Sequence, residues 1–268
     1  MILHTFYSQS HKELFDKYFF PSIRDEGISL IADEIPQECS GVYMRDNWNV
    51  SMIRKLEFCL KLAGGKDIFV HSDCDVQFFK PIREDAEKAL EKADIAFQHD
   101  GKNYLCAGLL CAKPSEKLQV LFHSAIELVK NGVANNDQTA LNMILRSGDC
   151  PLIFDFMPNT WWTHGADTFN HWNGEELNPP QDIVAHHANW VEGVDKKISL
   201  LSHVMERVYN GKYKWSKAGA GCESLDNIYG ASRERFILMP EGESGEMLLK
   251  KSKTLKSDID ECVRRGAM

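Results

Sequence analysis

Two aspartates one residue apart interrupt an otherwise apolar stretch, Ile68-Phe69-Val70-His71-Ser72-Asp73-Cys74-Asp75-Val76-Gln77-Phe78-Phe79. Carboxylates this close repel one another unless a cation sits between them, so the pair is a candidate metal site. Spacing alone is cheap, because 19 aspartates in 268 residues give about one such spacing by chance. A second copy, Asp258-Ile259-Asp260, lies in the charged run KSDIDECVRR, where nothing apolar shapes a cleft. The first pair instead follows a strand-like run and shares strand parity with His71. Both carboxylates are therefore expected on one face, with Cys74 and Val76 on the other.

Further residues could complete such a site. His187 ends the apolar run DIVAHH, and one imidazole beside two carboxylates makes a mixed nitrogen and oxygen shell that suits Mn²⁺ better than Ca²⁺ or Mg²⁺. Neighbouring strand side chains point to opposite faces, so only one of His186 and His187 can look into a cleft. A ligand histidine must be neutral, so metal affinity is expected to weaken below about pH 6.5. Gly193-Val194-Asp195-Lys196 sets a lysine just past a turn at a helix start, a good place for phosphate oxygens. Asn136-Asp137-Gln138 opens a helix, where Asp137 could be a plain first-turn acid or cap. Ala107-Gly108 falls mid-strand, and glycine there points to a bulge or to something approaching the backbone closely. The stretch NTWWTHGADTFNHWNG gathers Trp161, Trp162, His164, Phe169, His171 and Trp172, which could stack on sugar rings or fill a core.

These residues need elements to place them. ILHTFY (2–7), ISLIAD (28–33), DIFVH, DIAFQH (94–99), YLCAGLLCA (104–112), PLIFDF and DIVAHH read as strands. Helical patterns fall near 11–20, over 50–63 with a Gly64-Gly65 stop, over 83–92, around Leu118 to Leu128, in NNDQTALNMILRSG, and in KKISLLSHVMERVYNG. Alternating strands and helices imply a sheet covered on both faces. Ligands of such sheets sit at the carboxyl ends of strands, which is where Asp73 and Asp75 fall. From about 216 the pattern weakens, so residues 1–215 are expected as one α/β domain and 216–268 as a C-terminal extension, partly helical.

Bulk composition narrows the partners. Net charge is −8, from 31 basic against 39 acidic residues, which disfavours long nucleic acid but not a small diphosphate neutralised by a metal and a lysine. No run reaches the roughly 18 apolar residues of a membrane span, and the start MILHTFYSQSHKELF reads as a core strand rather than a signal peptide. Eight cysteines without a CxxC pair read as reduced thiols of a cytoplasmic protein.

Taken in order, the motifs form a pattern: Arg54-Lys55, Asp73-x-Asp75, Ala107-Gly108, Asp137-Gln138, then HANWVEGVDKK with Gly193 and Lys196. Over residues 1–210 or so, this resembles the nucleotide-diphospho-sugar transferases with the glycosyltransferase A-type fold. The resemblance implies a single Rossmann-like domain around a mixed, mostly parallel sheet. It also implies a metal-dependent, retaining transfer of a sugar from a nucleotide-diphosphate sugar, a UDP-sugar first, to a saccharide or other hydroxyl. Carried onto this chain, Asp73, Asp75 and His187 would hold Mn²⁺ or Mg²⁺, and Lys196 would touch the departing phosphate. Thr5 and Tyr7 would help seat the base, with Lys55, Asp73, Ala107, Gly108 and Gly193 also at the donor. Asp137 and Gln138 would lie beside the transferred sugar. The chain departs from the pattern at His71-Ser72, where relatives are often more apolar, and at the doubled His186-His187.

Two other classes compete. A phosphohydrolase of the haloacid dehalogenase type also carries Asp-x-Asp after a strand, but it wants Gly or Thr just after the second Asp and a later acidic pair. Val76-Gln77 and the lack of any Asp-Asp dipeptide argue against it. A sugar-binding protein on a degenerate transferase fold is the other, and it would not need Asp73, Asp75, His187 and Lys196 all intact.

Overall fold

Continuously buried apolar runs build the centre of a six-stranded sheet in the order β2-β1-β3-β6-β5-β7. Its strands are β1 (Ile2–Tyr7), β2 (Ser29–Glu34), β3 (Phe69–Ser72), β5 (Ile95–His99), β6 (Leu105–Ala112) and β7 (Phe154–Phe156). The computed structural model describes residues 1–39, 44–45, 47–101, 104–148, 150–165 and 171–209. The expected extension 216–268, with Asp258 and Asp260, lies outside them, as does Phe169. β2, β1 and β3 pair in parallel, as do β5 and β7, and only β6 runs against its neighbours. The sheet is thus mixed and mostly parallel.

Each face is buried under its own layer. On one side Phe69, Phe97 and Leu110 meet Leu56 and Leu62 of α3 (Trp48–Ala63), Leu118, Leu121 and Phe122 of α5 (Glu116–Lys130), and Leu141 of α6 (Asp137–Leu145). On the other, Val70, Leu109 and Cys111 meet the N-terminal helical segment, α4 (Arg83–Ala89), α7 (Val194–Tyr209) and a second, three-stranded sheet. Adjacent strand residues feed opposite cores, so a slip of one residue would turn both inside out.

The structure departs from the sequence expectation in two places. The helix near 11–20 is not regular: a 3₁₀ turn, α1 (Lys12–Leu14), a π-helical stretch Phe15–Phe19 and α2 (Phe20–Ser22) follow one another. Phe15, Tyr18 and Phe19 all turn inward along it. The second sheet, ordered β4-β9-β8, was not expected. Its strands are β4 (Val76–Phe78), β8 (Trp161–Trp162) and β9 (Ala185–His187), two or three residues each and too short for periodicity to reveal. The apolar stretch around Asp73 is therefore not one strand. β3 leaves the large sheet at Ser72, the chain turns through Cys74 and Asp75, and β4 enters the small sheet at Val76. Among the described residues no helix is long and apolar enough to cross a membrane.

Candidate active site

The turn between the two sheets places the carboxylates. Asp73 N–H donates to Gly108 O (2.7 Å), continuing the β3–β6 pairing by one residue. Ala188 N–H donates to Asp75 O (2.9 Å), tying that residue to the end of β9. Val76 lies opposite His187 in the small sheet. Asp73 is thus held by one sheet and Asp75 and His187 by the other, and the three meet where the sheets join.

Asp73, Asp75 and His187 each offer one ligand atom within 4.8 Å of the others. Gly108 makes the room between them: a Cβ there would lie 2.4 Å from His187 Cε1 and 2.7 Å from Asp73 Oδ2. Two carboxylates and a buried imidazole are a fitting donor set for Mn²⁺ or Mg²⁺. His186 points away, fully buried against Trp162, with both ring nitrogens unpartnered.

Two lysines reach into this cluster. Lys55, buried on α3, lies 2.7 Å from Asp137 Oδ2 and 3.2 Å from Asp73 Oδ1, joining the start of α6 to the end of β3. Lys197 of α7 pairs with Asp75 and donates to Ala188 O (3.3 Å). Burial works against every one of these charges, and their mutual attraction outweighs it. Lys55 holds Asp73 at about 2, and Lys197, then His187, keep Asp75 well below the usual carboxylate range. Both lysines are raised in return. His71 behaves differently: burial pushes it down to about 4 despite Asp73, and it bonds His4 (Nδ1 to Nδ1, 2.9 Å) rather than facing the cavity.

His187 is drawn the other way. Burial opposes its charge, yet the Asp75 carboxylate (3.3 Å), with Cys106, lifts it to about 10. This moves the pH window anticipated at 6.5. In the metal-free protein the raised value contributes stability that is complete below about 6.5, its ordinary value, and is lost as pH rises through about 10. A bound cation must displace that proton. Mg²⁺ affinity is therefore expected to climb between pH 6.5 and 9, by up to about tenfold per unit for one proton released. Calorimetric titrations at three pH values check this, and a flat profile refutes it.

One wall of the site is organised by Asp100, just past β5. Its Oδ2 accepts from Gln138 Nε2 (2.6 Å), and its Oδ1 accepts from Asn189 Nδ2 (3.0 Å) and Trp190 Nε1 (2.6 Å). Gln138 Oε1 in turn accepts from Ala107 N–H (3.1 Å). Trp190 takes a left-handed backbone (φ 58°), and its indole fills the space where a side chain on Gly165 would stand. Asn136, not Asp137, caps α6, its Oδ1 accepting from Thr139 N–H (2.7 Å).

These groups line one cavity of about 360 Å³. Its lining includes Phe6, Met52 and Trp48, which pack together, with Tyr7, and also Asp100, Asp137, Gln138, His171 and Trp190. Ala107, Gly108 and Gly193 also line it. Thr5 does not, being fully buried beneath. Lys196 is exposed and outside the cavity, and the lysine that enters is Lys197. Of the described residues of the aromatic cluster, Trp161, Trp162 and Trp172 are core residues and His171 lines the cavity. Sequence reasoning missed Asp100, Gln98, Asn189's contact and Lys197. For Lys197 a signal existed: it shares the i, i+3, i+4, i+7 stripe of Leu200, Leu201 and Val204, all buried, while Lys196 is about 100° off it.

No curated protein sequence matches the chain. Among solved structures, a glycosyltransferase involved in glycosylation of the major capsid of PBCV-1 has a TM-score of 0.52 at 9% identity, over 75% of this chain and 98% of that one. The fold is thus shared with a glycosyltransferase. The galactosyltransferase LgtC, solved with donor and acceptor sugar analogs, gives 0.47 at 13% identity over 90% and 98% of the two chains. GlyE of Streptococcus pneumoniae TIGR4 gives 0.46 at 15%, over 69% of this chain and 54% of that one, so the match spans about half of GlyE. The family model of nucleotide-diphospho-sugar transferases matches residues 15–201, from the N-terminal helical segment into α7 and across every lining residue of the cavity except Phe6, Tyr7, Ser8 and His11. On that match the chain belongs to the nucleotide-diphospho-sugar transferase family.

Proposed function

We propose that the protein moves a glycosyl group from a UDP-sugar to a hydroxyl of a saccharide acceptor, with retention of anomeric configuration and a divalent cation at Asp73, Asp75 and His187. The carrying observation is that ligand cluster, opened by Gly108 on the cavity floor. A Mn²⁺ or Mg²⁺ ion there would offset the charge that grows on the diphosphate as the glycosidic bond breaks. Lys197, rather than Lys196, takes the phosphate role, since its ammonium already stands beside Asp75 inside the cavity. Lys55 bridges Asp137 and Asp73 and holds the two carboxylates in place. Asp137 faces the sugar as positive charge develops on it, and Gln138 presents its amide alongside. Tyr7, Phe6 and Trp48 offer an apolar surface to the base, with Thr5 beneath them in support. We place the reaction in the cytoplasm, on the free thiols of the six described cysteines.

A thermal-shift panel of UDP-, GDP- and dTDP-sugars, with and without Mn²⁺, tests the reading through ligand linkage. The expected result is a shift with the UDP-sugar that vanishes in chelator. A shift indifferent to the metal rejects the metal site, and one confined to another nucleotide rejects UDP.

A further inference from the structure

Gln98 is fully buried at the end of β5, at the point where the β5–β6 register shifts. Its amide nitrogen lies 3.0 Å from both Trp161 O and Trp162 O, the backbone carbonyls of β8. Both amide hydrogens are thereby used. Turning the amide over would set its oxygen against two carbonyl oxygens, so the chemistry of β8 fixes which way it faces. Oε1 is left 3.0 Å from His187 Nδ1. An oxygen that can only accept demands a hydrogen on that nitrogen. The other neighbour of Nδ1, Cys106 Sγ at 3.5 Å, is a weak partner by comparison.

The opposite edge of the ring makes this matter. His187 Nε2 lies 3.3 Å from Asp75 Oδ1, and that carboxylate invites a hydrogen onto Nε2. A neutral imidazole has one N–H, and a nitrogen that carries it cannot ligate. Once the ring has given up its second proton, as a bound cation requires, Asp75 and Gln98 compete for the one hydrogen that remains from opposite sides.

We propose that Gln98 is a positioning residue that holds the His187 hydrogen on Nδ1 and so leaves Nε2 bare for a divalent cation. This rests on the metal-site reading above. The small sheet takes part as well, because the β8 carbonyls aim the amide that aims the ring.

The test measures Mn²⁺ binding to the full chain by calorimetry in wild type, Gln98→Met and Gln98→Glu. Both variants remove the amide donors to the β8 carbonyls, but only glutamate keeps an oxygen facing Nδ1. Gln98→Met is expected to lose about 10–100-fold in affinity, the usual effect of removing a group that orients a ligand histidine. Gln98→Glu is expected to stay within about threefold of wild type or bind more tightly. A purely structural role would weaken both alike, and a parallel loss overturns the proposal. Long-range ¹⁵N–¹H spectra of the metal-free wild type, recorded above about pH 10 where the ring is neutral, give a second readout, needed if Gln98→Met does not fold. They should show a hydrogen on His187 Nδ1, and a bare Nδ1 rejects the role of Gln98. A wild type with Nδ1 protonated that binds no Mn²⁺ rejects the metal-site reading instead.

Discussion

Asp75→Asn is expected to abolish the Mn²⁺-dependent stabilisation of the protein by UDP. At a ligand concentration 100 times Kd, that stabilisation is worth about 2.7 kcal/mol, or roughly 5–11 °C in midpoint for a chain of this size. The expectation follows from the position of Asp75. It is 5% exposed, touches both Lys197 and His187, and offers one of three clustered ligand atoms. Asparagine keeps the shape but not the charge, so two buried cationic partners face a neutral amide. Breaking a buried pair this way costs up to about 3–5 kcal/mol, and the metal-free variant should melt below the wild type. The decisive quantity is therefore the shift on adding Mn²⁺ and UDP to each protein, not the absolute midpoint. A full wild-type shift in Asp75→Asn would falsify the assignment.

Asp137→Asn is expected to lower transfer by about 10²–10³, the range seen when one preorganised electrostatic group is removed from a reacting centre. UDP affinity should stay within a few-fold. The structure removes the plain explanation for Asp137, because Asn136 supplies the cap and the helix start survives the change. What Asp137 does hold is Lys55, at 2.7 Å. Asparagine weakens that contact, but Lys55 keeps Asp73 as a partner, so the fold should persist with a lower midpoint. Steady-state rates beside UDP binding constants separate the two effects. Near-normal turnover would leave Asp137 as a structural partner of Lys55 alone.

Much of the architecture was legible because the large sheet is buried on both faces and its strands are apolar runs ended by polar residues. The Asp73–Asp75 stretch could be picked from its context, yet the sequence could not show that the chain changes sheets there. Pairing partners at Val76 and His187 lie more than a hundred positions apart, and no local pattern encodes that contact. Glycine at 108 was readable as a close approach, while what approaches was not. The motif pointed to Lys196, whereas the helix phase brings Lys197 into the cavity. Asp100 and Gln98 went unremarked in DIAFQHD, although a glutamine inside a buried strand is itself a signal that something must bond it.

The clasp around Asp100 has a consequence for selectivity. Gln138 is engaged at both ends of its amide, and Asn189 and Trp190 are tethered to the same carboxylate. Free side chains such as glutamine lose up to about 1.5–2 kcal/mol of rotamer freedom when a ligand orders them. Here that freedom is already gone before any sugar arrives. If this wall faces the transferred sugar, as proposed, it works as a rigid template rather than an adaptable one. Hydroxyls that match its fixed donors and acceptors would meet no ordering cost, and an epimer with one hydroxyl inverted would find Gln138, Asn189 and Trp190 already committed.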